Sequence, residues 1–164
     1  MKKIFLFALL GFFTSLQVFS QEKIASPKMT ADNALLKVVY GAPSKKGRNV
    51  FGGLEPYGKV WRTGANEATE ITFKKDVMFG DKSVKAGTYT LFTIPTEKEW
   101  TIILNSELHQ WGAYGYDKVK DKDVAQIKVT PTALMDVQEL FVIKPTDKGF
   151  DIVWDKTSVS VPVK

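Results

Sequence analysis

Thr88-Tyr89-Thr90-Leu91-Phe92-Thr93-Ile94, then Pro95, a polar turn from Thr96 to Glu99, and Trp100-Thr101-Ile102-Ile103-Leu104-Asn105 read as one β-hairpin. Both arms are rich in β-branched and aromatic residues, which fit a pleated, covered surface. In the first arm Tyr89, Leu91 and Thr93 share one face, and Thr90, Phe92 and Ile94 the other. Apolar side chains on both faces place this arm in the middle of a sheet.

Outward from the hairpin the same pattern repeats. Upstream, Thr69 to Lys75 alternates, with Ile71 and Phe73 on one face and Glu70, Thr72 and Lys74 on the other. Lys59 to Thr63 reads as a short strand, and Ala34 to Gly41 as a longer one. Val77 to Phe79, Gly80-Asp81-Lys82 and Ser83-Val84 make a second hairpin. Residues 42–57 are punctuated by Pro43, Gly47, Gly52, Gly53 and Pro56, but Val50, Phe51 and Leu54 anchor them as an ordered loop. Downstream, Val124 to Thr130, Gln138 to Lys144, Phe150 to Trp154 and Ser158 to Val163 are four more strands, the last alternating Val159, Val161 and Val163 around an edge-tolerated Pro162. Ser106 to Lys122, with aromatics and glycines in no period, is a structured loop. No amphipathic helix of useful length occurs. About nine short strands separated by turns predict an all-β fold, an antiparallel β-sandwich, with a small closed barrel as the alternative.

The chain opens with Lys2 and Lys3, an apolar run from Ile4 to Phe13, and Val18-Phe19-Ser20. This is the pattern of a cleaved signal peptide over residues 1–20. The run is too short to cross a bilayer, and no Cys follows it to take a lipid. Residues 21–33 read as a flexible lead-in and 34–164 as a single β-sandwich domain. The expectation is an exported, soluble protein, periplasmic or extracellular, with no stable membrane insertion after cleavage.

The sequence has no cysteine, which excludes thiol nucleophiles, thiol redox chemistry and Cys-ligated zinc. The 144 residues left after cleavage must hold together by packing, and that length is enough for a core. Of 23 basic and 18 acidic residues, only Lys2 and Lys3 leave with the leader, so the excess is mild. The basic residues are scattered lysines rather than a basic stripe, which argues against nucleic acid as a partner.

The motifs form a recognisable set. They are Pro56-Tyr57-Gly58-Lys59-Val60-Trp61-Arg62-Thr63-Gly64-Ala65-Asn66-Glu67-Ala68-Thr69, Ala86-Gly87-Thr88 through Pro95, Trp100 through Asn105, and Gln110-Trp111-Gly112-Ala113-Tyr114. Together they resemble a bacterial family of exported proteins catalogued as domain of unknown function 2911. The resemblance runs from about Ser26 to Lys164 and implies export and one β-rich domain. It implies no reaction.

Candidate site residues follow from rarity and chemistry. Arg62 is one of two arginines in a lysine-rich chain. A guanidinium fork at one chosen position marks a bidentate or stacked contact. Asn66, Glu67 and Glu70 follow closely, so the four could hold an anion or sugar hydroxyls. The structural alternative is a clamp in which Arg62 pairs with Glu67 or Glu70. Arg48, the other arginine, sits in a basic loop where solvation is the plain reading. Trp111 and Tyr114 lie in the irregular loop; packing is the plain reading, and exposure would make them a stacking platform for a sugar ring. Trp61, Trp100 and Trp154 read as core. His109, the single histidine, reads as a hydrogen-bonded structural residue. Asp117, Asp121 and Asp123 lack the glycine turn of a calcium loop. No metal and no cofactor is expected.

The ligand-binding set is thus Arg62, Asn66, Glu67, Glu70, Arg48, Trp111 and Tyr114. The first functional expectation is a cell-envelope binding or interaction module whose partner is a glycan, an anionic small molecule or an envelope protein. The second is a hydrolase using Glu67 and Glu70 as acid and base, although the sequence leans away from an enzyme. The third is a purely structural envelope protein.

Overall fold

A computed structural model describes residues 26–164. The expected leader and the lead-in up to residue 25 lie outside the described residues. Ten strands follow in order: β1 Lys28–Asp32, β2 Leu36–Gly41, β3 Thr69–Phe73, β4 Val77–Phe79, β5 Lys82–Val84, β6 Gly87–Ile94, β7 Trp100–Asn105, β8 Asp123–Val129, β9 Thr132–Thr146 and β10 Gly149–Pro162. Six form one antiparallel sheet in the order β1-β2-β3-β6-β7-β8. The predicted central strand is β6, between β3 and β7. β1 and β8 remain edges, so the sheet is open, and the barrel alternative is set aside in favour of the sandwich.

The long β9–β10 hairpin makes the second layer. Period-two alternation aims Leu36, Val38, Ile71, Phe73, Leu91, Ile102 and Leu104 of the sheet at Phe141, Ile143, Ile152 and Val161 of the hairpin. At the centre, Trp61 stacks on Trp154 with centroids 5.9 Å apart and planes at 17°. Trp100 and Phe141 close on Trp61 edge-on. The three tryptophans read as core are 3%, 1% and 0% exposed. Each buried ring removes about 150–250 Å² from water, which at ~25 cal/mol per Å² contributes on the order of 5 kcal/mol as an upper bound.

Three strand expectations are corrected. Lys28–Asp32, assigned to the lead-in, is edge strand β1. Its apolar pattern is weak, only Met29 and Ala31 packing on the core at its inner face, and its ladder to β2 holds it in the sheet. Lys59 to Thr63 is no strand: only Trp61 forms a bridge, to Thr93. Phe150–Trp154 and Ser158–Val163 are one strand, β10, that passes through Asp155 in the left-handed region (φ 53°) with register shifts on either side.

The outer face of the six-stranded sheet is covered in part by the loop 106–122. It folds down so that Ala113 and Tyr116 pack on Phe92 and Ile103, with Tyr116 edge-on to Phe92 at 5.2 Å. This is why β6 is apolar on both faces. Two single-turn 3-10 segments, Tyr116–Lys118 and Lys120–Lys122, give the loop its shape. A cross-strand row of polar side chains pins it. Thr90 Oγ1 donates to Glu107 O (2.5 Å), Asn105 Nδ2 to Val119 O (2.7 Å), and Tyr116 Oη to Asp123 Oδ2 (2.6 Å). Burial, with the Asp123 carboxylate beside it, raises the Tyr116 phenol well above its ordinary range, so it stays the donor of that bond. No helix among the described residues is long and apolar enough to cross a membrane.

Candidate functional site

The connection from Thr63 to Ala68 is a built structure. Thr63 and Asn66 both adopt left-handed backbone (φ 54° and 63°), and the surroundings hold them there. Thr69 Oγ1 donates to Thr63 O (2.6 Å), Trp61 Nε1 to Gly64 O (3.1 Å), and Ala65 N–H to Gly41 O (3.1 Å). The loop lies directly on β2: a Cβ on Gly41 would stand 2.1 Å from Ala65 O. Glycine is needed there for close backbone approach.

From this base the connection reaches the 106–122 loop. Ala68 N–H donates to Gln110 O (2.8 Å) and Gly112 N–H to Asn66 O (3.1 Å). Glu67 and Trp111 form an antiparallel bridge between these bonds. Asn66 Nδ2 also donates to Ser26 O (3.3 Å). Asn66 therefore joins three segments through its backbone and side chain.

A cleft of about 290 Å³ opens here on the outer face of the sheet. Val39 of β2 and Glu70 of β3 are register partners and form its floor. Glu67, Lys28 and His109 line its sides. Glu70 Oε1 accepts the His109 backbone N–H at 2.9 Å and lies 3.2 Å from its Nδ1. The His109 ring is otherwise in solvent, 86% exposed. The expected hydrogen-bonded role of His109 thus has Glu70 as its partner. Both carboxylates of the sequence motif line one cleft, with one histidine and one lysine beside them.

Trp111 and Tyr114 stand at 64% and 85% exposure, which corrects the packed reading of both. The backbone of Trp111 is fixed by its bridge to Glu67, and the Tyr114 ring lies over Gly112, where an added Cβ would come within 2.7 Å of it.

Arg62 is elsewhere. It forms no ion pair with Glu67 or Glu70, so the clamp expected between them is corrected: Glu70 is engaged by His109 instead. Its electrostatic partner is Glu55, on which Arg48 also acts. Burial pushes the Glu55 carboxyl up to about 7 against the pull of both arginines. The Arg62 Nε is buried without a hydrogen-bond partner, and leaving such a donor unpaired costs about 1–3 kcal/mol. Arg48 is exposed, with Nε on Lys45 O (2.9 Å) and Nη2 on Ser44 O (2.7 Å). The seven candidates therefore divide. Glu67 and Glu70 line the cleft, Asn66 and Trp111 adjoin it through the bridge of Glu67 to Trp111, Tyr114 is exposed on the same loop, and Arg62 and Arg48 act on Glu55. Sequence reasoning passed over Glu55; the apolar anchors Val50, Phe51 and Leu54 around it were the available signal that its loop is packed.

The motifs that build both places belong to one family. The model of the family described as protein of unknown function (DUF2911) matches residues 20–163. The chain is a member of that family. No curated protein and no solved structure matches this DUF2911 chain. Among its described residues, no group of three or more His, Asp or Glu is placed to hold a metal ion.

Proposed function

We propose that this DUF2911 chain is a non-catalytic binding module of the cell envelope that holds a glycan at the cleft between β2–β3 and the 106–122 loop. One observation carries the reading: Trp111, whose backbone is bridged to Glu67, and Tyr114 are exposed on the loop that borders a cleft lined by Glu67, Glu70, His109 and Lys28. An aromatic ring in water is a large apolar face without a partner, and a sugar ring offers a flat C–H face to match it. Carboxylate acceptors and ammonium or imidazole donors around a small concavity suit its hydroxyls. The leader expected at residues 1–20 supports the envelope location.

Thermal melts against a panel of neutral and acidic oligosaccharides test this. A ligand at 100 times its Kd stabilises by about 2.7 kcal/mol, several degrees for a chain this size. The reading requires a saturable rise with at least one oligosaccharide that is lost in Trp111→Ala. No rise with any of them leaves the purely structural reading.

A hydrolase is the second reading, and its support is that Glu67 and Glu70 line the same cleft. Glycosidases place a carboxyl pair across the scissile bond. Release of reducing ends from a bound oligosaccharide, abolished in Glu67→Gln with binding retained, would replace the first reading.

A further inference from the structure

Where the β6–β7 turn of the sheet meets the β9–β10 hairpin, a second cleft of about 190 Å³ opens between the layers. The turn contributes Thr96 and Glu97, and β10 contributes Lys156 and Thr157. Phe51 and Tyr57 of the 42–57 loop make an aromatic wall. None of these residues lines the cleft at Glu67 and Glu70.

Lys156 and Thr157 are adjacent in β10, and adjacent strand residues ordinarily face opposite ways. Here both line the cleft, because the strand changes phase beside it. Phe150, Ile152 and Trp154 carry the inward face before Asp155, and Val159 and Val161 carry it afterwards. Lys156 is the single β10 residue between the pairs Asp155↔Gln138 and Thr157↔Ala133, against four residues of β9. Irregularities of this kind re-aim side chains and recur beside sites. Asp155 itself takes φ 53°, and its carboxylate is paired with Lys45 Nζ at 2.8 Å. On the aromatic side, Phe51 packs edge-on to the buried Trp100 with centroids 4.8 Å apart. The Tyr57 ring lies against Gly52, where an added Cβ would come within 2.7 Å of it. The next residue, Gly58, donates its N–H to Pro95 O (2.8 Å), which ties the wall to the turn that carries Thr96 and Glu97.

Glu97 and Lys156 close no ion pair among the described residues. One acid and one base, each on its own layer, therefore line a single cleft without neutralising each other. An anion alone would meet Glu97 as well as Lys156, and a cation alone would meet Lys156 as well as Glu97. A molecule that carries both charges is complementary to both. Tyr57, 40% exposed, offers a ring face to an apolar group beside them. We propose that this cleft binds a free amino acid with an aromatic side chain, its ammonium at Glu97, its carboxylate at Lys156 and the Thr157 hydroxyl, and its ring against Tyr57 and Phe51. A concavity of about 190 Å³ takes one small molecule of this kind. The proposal does not rest on the glycan reading, because the two clefts share no lining residue.

The test is a titration of the wild-type chain with L-phenylalanine near neutral pH, followed in proton–nitrogen NMR spectra. Glycine, phenethylamine and 3-phenylpropionate are titrated separately. Saturable shifts are expected in the backbone amides of residues 96–98 and 156–157, with none at 109–114 beside the other cleft. Glycine lacks the ring, phenethylamine the carboxylate and 3-phenylpropionate the ammonium, so each should bind more weakly, by about threefold or more. Glu97→Gln and Lys156→Gln change exposed side chains. Both should keep the wild-type spectrum and bind phenylalanine about threefold or more less tightly. Tyr57→Ala should weaken binding as well; should it not fold, the two charge variants still decide. No saturable shift overturns the proposal, as do shifts confined to 109–114, which would put the amino acid at Glu67 and Glu70. Equal affinity for phenethylamine or 3-phenylpropionate, or unchanged affinity in either charge variant, overturns the pairing of Glu97 and Lys156 with a zwitterion.

Discussion

Glu70 of β3 accepts the backbone N–H of His109, 39 residues away, at 2.9 Å. One carboxylate oxygen thereby fixes the start of the aromatic loop against the sheet and forms part of the cleft floor. The strand supplies the position: Val39, Glu70 and Thr90 are successive register partners on the outer face. Several consequences of this geometry can be measured.

Glu70→Ala removes the acceptor and leaves the His109 N–H to water. A hydrogen bond to a charged group contributes about 1.5–3 kcal/mol when buried, and this one is half-exposed, so a loss of about 1 kcal/mol is expected. Glu70→Gln keeps an acceptor and should lose less. Urea unfolding of the two variants decides it, and equal losses would show that the bond does not hold the loop.

Trp111→Ala should change stability by no more than about 0.5 kcal/mol, because the ring is mostly in solvent. Trp154→Ala, by contrast, empties the centre of the core and should cost about 3–5 kcal/mol. Denaturant midpoints compare the two directly, and a large loss for Trp111→Ala would return that ring to the packed role.

Gly41→Ala places a methyl 2.1 Å from Ala65 O. Backbone cannot swing away as a flexible side chain does, so β2 and the 63–68 connection must separate. Overpacking of this kind costs about 1–3 kcal/mol, and the upper end is expected. Gly47→Ala is the control for a glycine with nothing within 4 Å, although its φ of 71° adds its own strain. A thermal melt in which Gly41→Ala matches wild type would contradict the close approach.

Glu55 makes stability depend on pH with a definite sign. Its folded carboxyl is raised to about 7 by burial, above its unfolded value near 4.5. The contribution is complete below about pH 4.5 and is lost as pH rises through about 7. The full shift would correspond to about 3 kcal/mol; partial exposure of the group reduces this to about 1–2 kcal/mol. Glu55→Gln should therefore melt several degrees above wild type at pH 8 and close to it at pH 4.5. If the two curves stay parallel across this range, Glu55 is not the raised group.

What the sequence by itself determined is local and periodic. The β6–β7 hairpin, the β4–β5 hairpin and the Val159-Val161-Val163 face were legible because period-two alternation and turn residues are written in adjacent positions. The three core tryptophans were legible because large rings on strands are seldom left in water. Trp111 and Tyr114 defeated the same argument: they sit on the 106–122 loop, whose backbone is bridged to Glu67, and their rings stay outside the core. β1 was hidden because its inner face offers only Met29 and Ala31 to the core, and backbone bonds to β2 do the rest. Only the tertiary structure decided how the rare groups are shared out. Arg62 and Glu67 are five residues apart in the chain, yet one acts on Glu55 and the other lines a cleft with His109. Which carboxylate meets which cation depends on strand register and loop closure, and those depend on contacts between residues far apart in the chain.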